Sequence, residues 1–98
     1  MKKETIQTLH PIVGKTNKII ELTKYVFIRD TLLAILSNNS EPTHTELMEV
    51  LYEKIKDNFV GGVQWYGETV KLDLEARKLI KRTGSKPDRY KLAVNINK

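Results

Sequence analysis

The order of signals between Gly61 and Val94 constrains this chain more than any other feature: GGVQWYGETVKLDLEARKLIKRTGSKPDRYKLAV. Val63 to Lys78 has helical periodicity. At 100° per residue Tyr66, Val70 and Leu74 fall on one flank, and Trp65, Thr69, Leu72 and Ala76 on the next. Together they form an apolar arc of about 200°, which marks a central helix. Gly67 sits at the edge of the arc, where it permits close approach of another helix. Gln64, Glu68, Lys71, Glu75 and Lys78 make up the remaining, outward face. Leu79-Ile80 follow, then a basic segment turning at Ser85-Lys86-Pro87-Asp88, then a second short strand. Ile80, Tyr90, Leu92 and Val94 should point inward, with Lys81, Arg89 and Lys91 outward. A buried helix followed by a basic two-stranded hairpin is the pattern of a winged helix-turn-helix. The expected fold is α+β: three helices and a C-terminal β-hairpin wing, preceded by an N-terminal strand or hairpin arm.

Two further helices precede this unit. From about Glu21 to Ser37, Leu22, Tyr25, Ile28, Leu32, Ile35 and Leu36 share one face,. Phe27 falls opposite that stripe, so either the N-terminal arm covers it or it marks a dimer contact. Asn38 to Pro42 stops the helix. The second helix opens at Thr43, where Thr43-His44-Thr45-Glu46 has the form of a capping box, and runs to about Asp57 through Leu47, Leu51 and Ile55,. Gly61-Gly62 supplies a turn. Thr5–Leu9 and Thr16–Ile20 have strand character, with a turn over His10–Gly14,. The chain divides into an arm (1–20), a winged-helix domain (21–94) and a frayed tail (95–98).

Ninety-eight residues make one domain with a small core,. The net charge of +5 is unevenly placed. Residues 77–98 hold eight cations against one anion, whereas residues 1–76 hold nine cations against eleven anions. A positive lobe confined to the last quarter is an electrostatic footprint for a polyanion. The same lysines also serve a solvated hairpin by discouraging edge pairing. With no cysteine, disulfides and thiolate metal sites are excluded,. No apolar run is long enough to span a bilayer and no apolar signal core follows Met1. The expected location is cytoplasmic.

Little in the chain points to catalysis. His10 and His44 are the only histidines and have no metal-ligand spacing,. No phosphate-binding or nucleophile motif occurs, so neither enzyme activity nor a cofactor or metal is expected. Asp73 projects into the apolar arc and therefore needs a partner. Arg77 lies one turn on, and the pair reads as a clamp between helix and wing. Trp65 and Tyr66 read as core before they read as a base-stacking platform.

At two depths the text resembles known proteins. Trp65 to Arg82 looks like the end of the recognition helix and first wing strand of many bacterial winged-helix regulators. Lys24-Tyr25, Thr43-x-x-Glu46, Gly61-Gly62, Thr69-Val70-x-Leu72-Asp73-Leu74-Glu75-Ala76 and Ser85-Lys86-Pro87 together resemble a small family of uncharacterised bacterial winged helix-turn-helix proteins. That resemblance spans about residues 10–94 and implies the fold, with no activity to carry over. Lys78 departs from it, standing where such helices end in Gly and implying a looser junction. Pro11–Gly14 is also longer than the family's Pro-Gly turn.

The leading expectation is a DNA-binding regulator. The third helix would enter the major groove with Gln64 and Lys71 on base edges, and Lys81, Arg82, Lys86, Arg89 and Lys91 would hold phosphates. Double-stranded DNA is the expected partner, with a homodimer supplying operator affinity. Glu68 and Glu75 on the outward face favour the alternative, a protein-interaction module without DNA binding.

Overall fold

The computed structural model describes residues 3–38 and 40–93. Its elements are β1 (Thr5–Gln7), β2 (Ile19–Glu21), α1 (Leu22–Leu36), α2 (His44–Ile55), α3 (Val63–Ala76), β3 (Ile80–Arg82) and β4 (Tyr90–Leu92). Three helices with two small antiparallel strand pairs make an α+β fold consistent with a winged helix. The inward position expected for Val94 and the tail over 95–98 lie outside the described residues. No helix among the described residues is long and apolar enough to cross a membrane.

The helical core follows from the apolar spacing. Tyr25, Ile28, Leu32, Ile35 and Leu36 of α1 meet Leu47, Met48, Leu51 and Ile55 of α2. Val63, Val70 and Leu74 of α3 close the same cluster. Fully burying each such side chain is worth about 1.5–3 kcal/mol. α3 packs against both other helices, as its wide apolar arc requires. Gly67 makes the α2–α3 contact possible, since a Cβ there would lie 2.7 Å from Leu51 Cδ2 and 2.8 Å from Met48 Sδ.

Local chemistry sets the helix ends. The capping box forms at α2: Thr43 Oγ1 accepts from the Glu46 N–H at 3.2 Å, and Glu46 Oε1 accepts from the Thr43 N–H at 3.0 Å,. α3 ends in a Schellman turn. The Leu79 N–H donates to the Leu74 carbonyl at 2.9 Å and the Lys78 N–H to the Glu75 carbonyl at 3.0 Å,. Lys78 occupies the left-handed position, φ 65°, that glycine usually takes. The junction is therefore as tight as a glycine would make it. The looser turn expected from Lys78 is not found, because backbone hydrogen bonds hold the lysine in that conformation.

Both strand pairs gain their order from the helices. β1 and β2 pair in the register Thr5↔Glu21, Ile6↔Ile20, Gln7↔Ile19, so the second strand starts later than the sequence suggested. A two-stranded hairpin is marginal alone. Here the Leu9 N–H donates to Asp73 Oδ1 at 2.8 Å, and Asn17 Nδ2 donates to the Leu9 and Thr69 carbonyls at 2.9 and 3.0 Å. These bonds fasten the arm along α3. β3 and β4 pair as Ile80↔Leu92, Lys81↔Lys91, Arg82↔Tyr90. Their base is stitched to the start of α2 by the Thr43↔Arg89 bridge and by the Tyr90 N–H on the Pro42 carbonyl at 2.9 Å.

Candidate nucleic-acid interface

The wing has two unlike faces. Ile80 and Tyr90 are buried against the helices, and Arg82 on the same side reaches α3. Lys81 and Lys91 occupy the opposite face as direct cross-strand partners, and neither has an ion pair among the described residues. Like charges directly opposite one another destabilise a hairpin. Lys86 is exposed in the wing turn, where the Lys86-Pro87 peptide is cis.

The wing arginines are largely committed within the fold. Arg82 Nε donates to Glu75 Oε1 at 2.8 Å, and Arg82 Nη1 lies 3.6 Å from Asp88 Oδ2. The bond to Glu75 raises the Arg82 pKa above its ordinary value, against a smaller opposing effect of burial,. Arg89 Nη1 donates to the Glu41 carbonyl at 2.8 Å and lies 3.7 Å from Glu46 Oε1. Arg89 keeps a partly exposed side chain; Arg82 acts first as a strut between wing and α3.

Lys71 corrects the sequence reading. It is 3 % exposed, with Nζ 3.0 Å from the Tyr90 hydroxyl and 3.3 Å from Glu75 Oε2. The Tyr90 ring centroid is 4.2 Å away. Helical periodicity placed Lys71 outward, but the wing folds back over that part of α3 and buries it with Glu75. Lys71 is thus unavailable to base edges without disrupting the wing. His44, at the start of α2, has its pKa lowered by burial first and then by the charge of Lys71. Its Nδ1 is buried with no partner among the described residues.

What remains outward on α3 is Gln64, Trp65 and Glu68, with half-buried Leu72 beyond them. Trp65 is 48 % exposed, although the helical wheel put it in the apolar arc. It packs edge-on to Tyr66 with centroids 4.9 Å apart, and Tyr66 meets Phe59 in the same way at 5.1 Å. The arm runs beside this strip. His10, Lys15 and Lys18 line a cleft of about 360 Å³ together with Trp65, Glu68 and Leu72. Lys15 and Lys18 have no signal of their own in the sequence, and only the arm's long-range docking brings them to α3. Gln64 stays exposed as expected. The residues expected on DNA therefore do not form one surface. Gln64 lies on the α3 strip, Lys81 and Lys91 on the wing face turned from α3, and Lys71 lies inside.

Asp73 is 0 % exposed and sits under the arm. Oδ2 accepts from the Tyr25 hydroxyl at 2.5 Å and from Arg77 Nε at 2.8 Å, while Oδ1 accepts from the Leu9 N–H. The expected Arg77 partner is present. The clamp, however, joins α3 to α1 and the arm instead of to the wing. Burial, followed by the bond to Asp73 and its negative charge, pushes the Tyr25 pKa up to about 12. The bond to Asp73 also raises the Arg77 pKa.

Residues 5–90 match a family described as Family of unknown function (DUF6958). The chain belongs to that family. No curated protein and no solved structure matches it. Both strands of the N-terminal pair, the three helices and the first wing strand fall within the matched span.

Proposed function

We propose that this protein is a cytoplasmic DNA-binding winged-helix protein, acting in transcriptional regulation, that grips the duplex through its wing. The observation carrying this reading is the facing pair Lys81 and Lys91, two cations held opposite each other with no ion-pair partner among the described residues. Facing cations destabilise a hairpin and would be neutralised by a polyanion, which supports this reading. Lys86 and the exposed part of Arg89 extend the contact. These residues touch phosphates and carry no sequence information by themselves. Non-specific binding by one protomer is expected at a Kd of roughly 10⁻⁴ to 10⁻⁶ M. Base readout falls to Gln64 and to Glu68, a carboxylate suited to the cytosine amino group. Lys71 plays no direct part.

Fluorescence anisotropy with random-sequence duplex DNA across a salt series tests the reading. Affinity should fall steeply with salt, and the Lys81→Ala/Lys86→Ala/Lys91→Ala variant should lose most binding and flatten the slope. Absence of wild-type binding at low salt would refute it.

One observation favours a second reading, a protein-interaction module. Trp65 is half exposed on a strip that carries no cation, beside a cleft of mixed lining. Exposed tryptophan is a frequent anchor in protein interfaces. The Trp65→Ala variant separates the readings: unchanged DNA affinity assigns this strip to a different partner from the wing.

A further inference from the structure

A surface helix normally turns charged residues outward. α1 does not. Its outward stripe carries Val26, Phe27, Thr31 and Ala34 at three- and four-residue steps, and its only charge is Asp30. The Asp30 carboxylate is already bonded by Arg29 Nε at 2.9 Å. Phe27 is 39 % exposed and stacks on Phe59 with centroids 6.1 Å apart. These residues line a groove of about 520 Å³, and Lys54 of α2 stands on its rim. No described residue of the arm lines it.

We propose that this groove is a self-association surface, in which α1 packs antiparallel against α1 of a second copy about a two-fold axis. The groove's charges select that occupant. Its lining holds one anion, Asp30, which Arg29 engages through Oδ1 only, and one cation, Lys54, so it is self-complementary. A two-fold operation sets Asp30 of one copy against the partner subunit's Lys54, and repeats the pair in reverse. A partner of strong single-sign charge would gain nothing from such a surface. Thr31 and Ala34 are small enough for the helices to approach, and Val26 and Phe27 supply apolar area. Lys54 has no carboxylate within salt-bridge distance among the described residues, so it is free to make the cross-pair. The stripe lies on the side of α1 opposite Tyr25, Ile28 and Leu32, which face the core. The groove uses no residue of the wing or of the α3 strip. The inference is independent of DNA binding, since it uses none of the wing residues.

Sedimentation equilibrium of the full chain tests it. The wild type should approach twice the chain mass of 11.3 kDa as concentration rises. Ala34→Glu, at an exposed position, should hold the mass at that of one chain while circular dichroism and melting stay close to wild type. Asp30→Lys alone and Lys54→Glu alone should each weaken association, because each sets like charges across the axis. An equimolar mixture of those two variants should recover the dimer, since the introduced lysine then meets the introduced glutamate and the native pair is kept on the other side. Pairing within one chain cannot produce that recovery. A wild type that stays monomeric, or a mixture no more associated than its components, would overturn the proposal.

Discussion

Tyr25 of α1 donates its hydroxyl to Asp73 of α3 at 2.5 Å, between helices 48 residues apart in sequence. Removing a carboxylate from water is costly unless its oxygens are satisfied. Asp73 meets that demand with one donor from α1, one from Arg77 at the C-cap of its own helix and one from the arm. One buried charge thereby fixes the positions of three elements.

Tyr25→Phe leaves the carboxylate one donor short and should cost about 1–3 kcal/mol in urea denaturation. Burial of that hydroxyl, reinforced by the bond to Asp73, makes stability depend on alkaline pH. The folded-state pKa is raised to about 12, above the value of about 10 for an unfolded tyrosine,. The contribution is full below about pH 10, and declines as pH rises toward 12 because the unfolded chain releases its proton first,. Melting temperatures across that range should fall more steeply for the wild type than for Tyr25→Phe. Parallel declines would show that the fold does not hold the tyrosine proton.

The α3 terminus gives a prediction of opposite sign. A left-handed conformation costs a residue with a Cβ about 1–2 kcal/mol, and glycine gives back part of the gain through its freer unfolded chain. Lys78→Gly should therefore stabilise the protein by about 0.5–1 kcal/mol, read as a higher urea midpoint at unchanged slope. A loss would mean that the lysine side chain contributes packing or charge beyond the turn.

Local signals were legible in the sequence and distant ones were not. The Thr43–Glu46 box is written within four residues and forms as read. Arg77 stands one helical turn from Asp73, so periodicity alone finds that partner. Tyr25 and the Leu9 N–H are joined to Asp73 only by tertiary docking, and nothing in the local pattern names them. Lys71 failed for the same reason in reverse: a wheel gives the face of an isolated helix and cannot know that Tyr90 will lie over it. Trp65 failed because the arm covers its flank of α3 at Thr69 and Asp73 but leaves Trp65, in the first turn, half exposed. The wing's charge asymmetry was plain, but its consequence was not. Only the register shows that Lys81 meets Lys91 while Arg82 turns inward.

Gly67 stands out in the sequence by its place at the edge of the arc, and its consequence can be measured. A methyl group there meets fully buried Leu51 as well as Met48. Overpacking of this kind costs about 1–3 kcal/mol, set against about 1 kcal/mol of gained helix propensity. Gly67→Ala should lower the urea-derived stability by up to about 2 kcal/mol. An alanine variant more stable than the wild type would show that α2 and α3 stand farther apart.

Lys91→Glu separates the wing's stability from its binding. Opposite Lys81 it converts a like-charge pair into an ion pair, which should stabilise the hairpin by about 0.2–1 kcal/mol. Under the proposed function the same change removes a cation that would hold phosphate and introduces repulsion, so duplex affinity should fall. The slope of log K against log salt should shrink by roughly 0.9 for each phosphate that is no longer neutralised. Thermal melting and anisotropy on one preparation give both quantities. A rise in melting temperature with a fall in affinity is the signature of charges kept for a partner at the expense of the fold. A rise in both would dissociate Lys91 from DNA and leave its role to solubility.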